Sequence, residues 1–332
     1  MRTDAVATTF AVADIGGTHA RFAIAAPGPS GTIELGNVTK LATADHGSLA
    51  AAWTAFGQCL GHPLPRAAAI AVAAPVTPGD IRMTNNSWII EPERLDTQLG
   101  LDDHLILNDF AAVAHAVHSV PDEYLLHLFG PDGPLPDHGT ISVIGPGTGL
   151  GVAALQRAGK RTHVIATEGG HAGFAPVDAF GDRLLARLRA RHDRVSVERV
   201  VSGPGLRAIA ETLVELGAEA EDTSLAACDD RALWTHALEG TVRLAAAALE
   251  RFAMCLGSAA GDVALMHGPG PVVIAGGLGL RIGTRLGALG FHDRFCAKGR
   301  YRELMRSLPV KLITHPEPGL YGAAAAWLAR QA

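Results

Sequence analysis

Asn108 and Asp109 stand between an apolar segment, HLIL at 104–107, and a helical pattern that continues to Val117. A carboxylate placed beside a hydroxyl group can accept its proton, and phosphoryl transfer leaves the protein little other covalent work. The start of a helix is also a common place for an aspartate N-cap. The pattern therefore leaves both roles open for Asp109, a general base and a helix cap, and one does not exclude the other.

Three glycine-rich turns follow apolar segments and could bind the phosphates of a nucleotide: Gly16-Gly17-Thr18, Gly147-Thr148-Gly149 and Gly276-Gly277. Backbone N–H groups and threonine hydroxyl groups in such turns can bind anions, although a hairpin can need glycine simply to reach a positive φ. The Rossmann and Walker A patterns are both missing, because IGPGTGLG is followed by a strand-like segment and no Lys-Ser/Thr pair follows a glycine turn. Gly276-Gly277 could also let an adenine lie close to the backbone.

Asp14 precedes the first of these turns, inside the apolar segment 11–15. A buried carboxylate usually needs a partner, and a hydrated cation is one candidate. Taken alone, this segment is better explained as a simple turn. Together with the other two glycine turns, it favours a nucleotide site with Asp14 facing a hydrated cation.

Glu168 and His171 have the Glu-x-x-His spacing that, on a helix, directs both side chains to one metal. Here Gly169 and Gly170 separate them, and the motif has no second copy. A metal site is therefore a poor explanation. We expect the glycines to let the backbone bend tightly, so that both side chains converge on one edge of a bound ring.

Short β-like segments alternate with helical patterns, which is typical of an α/β architecture. Strands are predicted at 69–75, 104–109 and the start of 271–280; helices are predicted after Ser48, from Asp109 and from Pro204 to Gly217. Residues 229–267 predict one or two long apolar helices. A glycine pair follows an apolar strand at both Ile15 and Ala275, which is a weak sign of a duplicated fold.

The composition is that of a globular protein large enough for two domains, with 332 residues, 48% hydrophobic and 18% charged. A net charge of −5, no Lys/Arg cluster and 5% aromatic residues argue against nucleic acid or an anionic membrane as partner. No apolar stretch approaches the ~18 residues of a membrane span. Four scattered cysteines without a CxxC pair predict thiols in a reducing cytoplasm, and early acidic residues argue against a signal peptide.

Eight short motifs occur along nearly the whole chain, in the order DIGGTHAR, TNNSW, LNDFAAVA, GPGTGLG, EGGHAGFAP, SVERVVSGPGL, IAGGL and PGLYGAAA. In this combination the sequence resembles the bacterial glucokinase family, in the non-ROK branch of the actin-like sugar kinases. The cysteine spacing of the ROK zinc cluster does not occur in the sequence. The resemblance implies a two-domain actin-like ATPase fold, related to ribonuclease H, with the active site in an interdomain cleft. It assigns 1–118 with 312–332 to a small α/β domain and 119–311 to a large one.

The resemblance also implies a reaction, the transfer of the γ-phosphoryl group of ATP to the 6-hydroxyl group of glucose. Asp109 is then the base for that hydroxyl, and Asn108 binds a neighbouring one. Glu168, His171 and Glu198 bind the C1 and C2 side of the sugar. For Glu198, an exposed acid in the first turn of a helix is an alternative.

For the nucleotide, the resemblance implies that Asp14 holds Mg²⁺ through water and that the three turns bind ATP. The residues concerned are Gly16, Gly17, Thr18, Gly147, Thr148, Gly149, Gly276 and Gly277. The family also implies a homodimer. Its partners are thus glucose, ATP and a second copy, without nucleic acid or membrane.

Two positions depart from the family pattern, with His19 in place of the usual Asn and Pro146 in place of a small residue. The charge of His19 would depend on pH near its ordinary pKa, and Pro146 removes one N–H group from the presumed phosphate turn.

The alternatives to a glucokinase are a kinase for another hexose, a kinase using polyphosphate, or a non-catalytic sugar sensor. A sensor would commonly add a DNA-binding segment, for which we expect no room before Val12. An actin-like ATPase that remodels proteins is a third alternative, against which the sugar residues argue.

Overall fold

The computed structural model describes residues 9–83, 86–159, 161–217 and 228–331. The chain divides into two compact units, Met1–Pro121 with His315–Ala332 and Asp122–Thr314. In its described residues, each unit combines helices with a mixed six-stranded sheet, so the predicted α/β architecture is confirmed. Two residues of the TNNSW motif, Thr84 and Asn85, lie outside the described residues.

The elements are numbered along the chain. The strands are Phe10–Ile15 (β1), His19–Pro27 (β2), Ile33–Leu35 (β3), Thr39–Ala42 (β4), Ala67–Val72 (β5), Ile81–Arg82 (β6), Ile89–Ile90 (β7), Asp103–Asn108 (β8), Leu125–Phe129 (β9), His138–Pro146 (β10), Leu150–Ala158 (β11), Arg161–Thr167 (β12), Val272–Ile274 (β13) and Val310–Ile313 (β14). The α-helices are Leu49–Leu60 (α1), Leu95–Leu99 (α2), Asp109–Ser119 (α3), Ala179–Arg189 (α4), Gly205–Glu215 (α5), Asp230–Glu239 (α6), Arg243–His267 (α7), Gly276–Ile282 (α8), Phe291–Cys296 (α9), Arg302–Arg306 (α10) and Pro318–Gln331 (α11).

The sheet of the first unit has the strand order β3-β2-β1-β5-β8, with β4 also paired to β2. β1, β5 and β8 are parallel, whereas β2 is antiparallel to β1. Both faces of β1 are covered, because Ala13 packs in a cluster with Trp53 of α1 and Val12 packs in another with Trp327 of α11. Burial on both faces explains why the sequence FAVADI is apolar almost throughout.

The sheet of the second unit has the strand order β12-β11-β10-β13-β14-β9, in which β10, β13 and β14 are parallel. Its main core helix is α7, whose Phe252 and Leu256 are fully buried. Among the described residues, α7 is the one helix long and apolar enough to cross a membrane, but 61% of its most apolar window is buried. Its apolar character is therefore explained by the core of this unit. The predicted helical region 229–267 is broken at Gly240, whose φ of 68° ends α6.

Predicted helix starts are confirmed where a side chain caps them. Ser48 Oγ accepts a hydrogen bond from Ala51 N–H at 3.2 Å, and α1 begins at the next residue, Leu49. The four cysteines, Cys59, Cys228, Cys255 and Cys296, all lie in the described residues and are thiols.

Each of the two sheets contains an antiparallel hairpin closed by a glycine turn, but these hairpins are not the repeat that the glycine pairs predicted. β1 and β2 are joined by the turn 16–18, and β10 and β11 are joined by the turn 147–149. The predicted equivalence of Ile15 and Ala275 is wrong, because a helix, α8, follows Ala275 instead of an antiparallel strand.

Helices α3 and α11 of the first unit pack at a distance that only glycine allows. A Cβ on Gly322 of α11 would lie 1.7 Å from the carbonyl oxygen of Ala112 in α3. This contact places α11 directly against the helix that begins with Asp109.

We expect Gly322→Ala to destabilise the protein by about 1–3 kcal/mol or more, because the added methyl group meets a backbone atom that cannot rotate away. The thermal midpoint should fall by at least about 2–4 °C. Gly47→Ala is the matched control in the same unit, since a Cβ there would meet nothing within 4 Å. Equal midpoints for the two variants would contradict the inferred helix contact.

Candidate active site

Asp14, the turn 16–18, Asn108 and Asp109 lie at one end of the sheet of the first unit. Ile15 of β1 is in register with Val72 of β5, which is in register with Asn108 of β8. In open α/β sheets, ligands bind outside the carboxyl ends of the parallel strands. The strand topology therefore brings together the residues assigned to the base and to the metal.

Asn108, and not Asp109, is the N-cap of α3. Asn108 Oδ1 accepts from the N–H groups of Phe110 and Ala111 at 2.9 and 3.1 Å, and Nδ2 donates to Ala74 O at 3.3 Å. Asp109 is the first helical residue, and its Oδ1 accepts from Phe110 N–H at 2.9 Å. The predicted aspartate cap is therefore corrected: the cap is Asn108, and the Asp109 carboxylate lies in the first turn, where the helix dipole favours a negative charge.

Arg21 lies between two carboxylates that sequence reasoning did not connect. Its Nη1 is 3.4 Å from Asp14 Oδ2, and its Nε is 3.4 Å from Glu317 Oε2. Burial raises the pKa of both carboxyl groups, and Arg21 opposes the rise. Arg21 ends the motif DIGGTHAR and Glu317 precedes PGLYGAAA, so both residues stood beside motifs that could have drawn attention to them.

Asp14 fits the water-mediated magnesium role. Among the described residues there is no group of three His, Cys, Asp or Glu side chains suited to a metal. Mg²⁺ commonly needs only one or two carboxylates, since substrate phosphates and waters complete its shell. The Asp14 side chain is 19% exposed, and a cation beside it would favour the ionised form that burial opposes. A Cβ on Gly319 would lie 2.7 Å from Asp14 Oδ2, so the start of α11 approaches this carboxylate closely.

The turn 16–18 is held from the side by a buried threonine. Gly16 N–H donates to His19 O at 2.9 Å, while Thr43 Oγ1 donates to Gly17 O at 2.7 Å and Thr43 N–H to Thr18 O at 3.0 Å. Gly16 does not have a left-handed φ, and a Cβ there would lie 3.3 Å from His19 O. At Gly16, close packing and not a positive φ therefore explains the glycine.

His19 lies at the start of β2, next to this turn. Loss of hydration, and after it Lys40 and Arg21, lower the pKa of His19 from its ordinary value. Its imidazole is therefore neutral at pH 7, and it can donate one hydrogen bond and accept another.

The second unit brings two of the predicted nucleotide turns together. In the hairpin between β10 and β11, Gly147 N–H donates to Gly149 O at 2.8 Å. Gly276, at the start of α8, has a φ of 76°, and a Cβ there would lie 2.6 Å from Pro146 O. The glycine at 276 is thus required both by its φ and by its approach to the hairpin.

Glu168 precedes a short 3-10 helix, Gly169–His171, and His171 is its last residue. The His171 N–H group donates to Glu168 O at 2.9 Å. Neither intervening glycine has a left-handed φ. Instead, a Cβ on Gly170 would lie 2.1 Å from Leu150 O. The predicted tight turn is present, but Gly170 is required by packing on β11.

Glu198, in the 3-10 helix Val197–Arg199, approaches both the hairpin turn 147–149 and the loop that contains His171. Its Oε2 accepts from Leu150 N–H at 2.8 Å, and its Oε1 is 4.0 Å from His171 Nε2. Its side chain is 29% exposed, whereas that of His171 is 58% exposed. Glu198 is therefore a hydrogen-bonded, partly buried acid and not an exposed acid on a helix surface.

The sequence model of the glucokinase family matches residues 11–331. A glucokinase from Zymomonas mobilis subsp. mobilis is 53% identical over 314 residues, which cover 95% of this chain and 96% of that protein. The chain belongs to the glucokinase family. The family predicted from the eight motifs is thus confirmed, and the activity is that of an ATP-dependent hexose kinase.

Solved structures of glucokinases share the fold. A glucokinase from an Antarctic psychrotroph aligns with a TM-score of 0.82 and 32% identity, covering 97% of this chain and 99% of that one. A glucokinase from Balamuthia mandrillaris, solved in complex with glucose, aligns with a TM-score of 0.82 and 22% identity, covering 99% and 95%. The actin-like ATPase fold expected from the sequence is therefore confirmed.

We expect Asp14→Asn to raise the thermal midpoint of the ligand-free protein at pH 7. Because burial raises the pKa of Asp14 above its ordinary value of about 3.9, the ionised carboxylate destabilises the folded state above that pH. The gain should shrink as the pH falls toward about 4, where the carboxyl group becomes protonated in the unfolded chain as well.

Thermal melts of both proteins over this pH range measure the effect. The exposed Asp45 provides the control variant Asp45→Asn. A midpoint for Asp14→Asn below that of the unmodified protein at pH 7 would contradict the inferred burial cost.

Proposed function

We propose that the chain transfers the γ-phosphoryl group of ATP to the 6-hydroxyl group of glucose, with Asp109 as the base that accepts the hydroxyl proton. The observation that carries this assignment is the start of α3. Asn108 caps the helix there, so the Asp109 carboxylate is not needed as the cap. A carboxylate in the first turn of a helix is stabilised as the anion, which is the form that a base requires.

Asn108 contributes to sugar binding through the one amide hydrogen that its contacts with the protein do not use. Its Oδ1 already accepts two hydrogen bonds and one Nδ2 hydrogen is directed to Ala74 O. An amide nitrogen carries two hydrogens. Asn108 therefore donates its second hydrogen to a sugar oxygen next to the reacting hydroxyl.

The nucleotide is bound by the turns 16–18 and 147–149 and by Gly276-Gly277. The Gly16 and Gly147 N–H groups donate within their own hairpins, so the phosphate oxygens accept from the other N–H groups of these turns and from the hydroxyl groups of Thr18 and Thr148. No lysine lies in any of the turns. Mg²⁺, held by Asp14 through water, neutralises phosphate charge when it is bound. Arg21 and Glu317 keep the Asp14 side chain in place.

The sugar is recognised by Glu168, His171 and Glu198. Carboxylate oxygens accept hydroxyl hydrogen bonds in fixed directions, and His171 can donate or accept. We place the C1 and C2 hydroxyl groups on these residues. We further propose that the enzyme acts in the cytoplasm as a homodimer.

A panel of sugars with ATP and Mg²⁺, followed through ADP release, tests the function. Glucose should give the highest specificity constant, and ADP release without sugar should be slight. Faster turnover of another hexose, or turnover of glucose only when polyphosphate replaces ATP, would contradict the proposed substrates.

Asp109→Asn should lower kcat on glucose by roughly 10²–10⁴-fold, because the amide cannot accept the proton. Glucose affinity, measured by calorimetry, should change little, since the side chain keeps its size and the amide oxygen can still accept a hydrogen bond from the sugar hydroxyl group. Asp45→Asn again serves as the control. A variant with near-normal kcat at saturating glucose would show that Asp109 is not the base.

A further inference from the structure

The segment 194–203 is hydrogen-bonded to two of the loops of the second unit that are proposed to bind substrates. At its start, Arg194 Nη1 donates to His171 O at 2.7 Å, and Val197 N–H donates to Ala172 O at 2.9 Å. At its end, Gly203 N–H donates to Gly147 O at 2.8 Å. The sugar loop 168–174 and the phosphate turn 147–149 are thus tied to one short piece of chain.

Glu198 lies in the middle of this segment, and its two carboxylate oxygens face different partners. Oε2 accepts from Leu150 N–H at 2.8 Å, directly after the phosphate turn. Oε1 lies 4.0 Å from His171 Nε2, on the side of the sugar loop. One carboxylate can therefore accept a sugar hydroxyl with one oxygen while the other oxygen holds the phosphate turn.

The same backbone approaches Glu198 and the sugar loop at distances that leave no room for a side chain. A Cβ on Gly149 would lie 2.4 Å from Glu198 Oε2, and a Cβ on Gly170 would lie 2.1 Å from Leu150 O. Leu150 therefore has its N–H group bonded to Glu198 and its carbonyl group packed against the sugar loop.

We propose that Glu198 is a positioning residue that couples glucose binding to nucleotide binding, by fixing Leu150 and the phosphate turn when a sugar hydroxyl group binds its other oxygen. This inference rests on the proposed function, and it adds a role in nucleotide affinity to a residue assigned only to the sugar. When the bound sugar fixes the Glu198 carboxylate, Leu150 and the phosphate turn are already ordered, so nucleotide binding costs less conformational entropy. By linkage, the nucleotide strengthens glucose binding by the same factor.

The test measures the dissociation constant of the non-hydrolysable ATP analogue AMPPNP with Mg²⁺ by calorimetry, with and without saturating glucose. In the unmodified protein the ratio of the two constants should be roughly 5–150-fold, as is typical of coupled sites. In Glu198→Ala the ratio should fall toward about one. Because this variant also binds glucose more weakly, the glucose concentration is raised until the ratio stops changing.

Gly149→Ala provides a second variant that keeps the Glu198 carboxylate. Its methyl group would occupy the position of Oε2, so the side chain must leave Leu150 N–H and the ratio should fall. Gly47→Ala is the control, because a Cβ there meets nothing within 4 Å and Gly47 lies outside the proposed binding turns, so this variant should keep the ratio. Glu168→Ala, which removes the other sugar carboxylate, should weaken glucose binding but also keep the ratio.

Three results would overturn the coupling role: no effect of glucose on AMPPNP affinity in the unmodified protein, equal ratios for Gly149→Ala and Gly47→Ala, or a normal ratio in Glu198→Ala. Thermal melts identify a variant that fails to fold. The comparison that uses the other variant, Glu198→Ala or Gly149→Ala, then decides. The sugar panel tests the proposed function separately. If the unmodified protein phosphorylates glucose and Glu198→Ala keeps the normal ratio of AMPPNP dissociation constants, only the coupling role is contradicted.

Discussion

The backbone of Leu150 is the point on which the candidate site of the second unit depends. Its carbonyl group approaches Gly170 so closely that no side chain fits there, and its N–H group is bonded to Glu198. A loop that packs on a backbone atom is placed more precisely than one held by flexible side chains, because a backbone carbonyl has few alternative positions. Close packing at glycine therefore sets the distance between the sugar loop and the phosphate turn.

The first unit uses charge for the same purpose. Arg21 lies between Asp14 and Glu317, and burial raises the pKa of both carboxyl groups although a guanidinium lies between them. Such a group of partly buried charges contributes little net stability, because loss of hydration offsets attraction. Its value lies in orientation: Asp14 is held on a strand by a side chain of the neighbouring strand and approached by the start of α11. A cation bound at Asp14, as proposed, would meet a carboxylate whose position is already fixed.

Local sequence signals identified the elements, but contacts between distant residues decided the details. Ser48 marked the start of α1, and the glycine turns marked both hairpins, because caps and turns depend on a few adjacent residues. The link from Arg21 to Glu317 and the link from Leu150 to Glu198 join segments far apart in sequence, so no local pattern encodes them. The alternative that Asp109 caps α3 was wrong, since both Asn108 and Asp109 are good caps and only the backbone geometry distinguishes them. The eight motifs identified the family correctly because their combination is specific even though each is weak.

The two departures from the family pattern are accommodated by their surroundings. Pro146 lacks an N–H group, but β10 pairs with β13 only from Ser142 to Ile144, so the sheet needs no donor at Pro146 on that side. The Pro146 carbonyl still approaches Gly276, which keeps the two nucleotide turns together. His19 is neutral at pH 7 because its pKa is lowered, so it adds no charge beside Arg21 and retains one donor and one acceptor. An asparagine side chain, which the family resemblance predicts at this position, offers the same two kinds of group, so His19 keeps the expected capacity for hydrogen bonding.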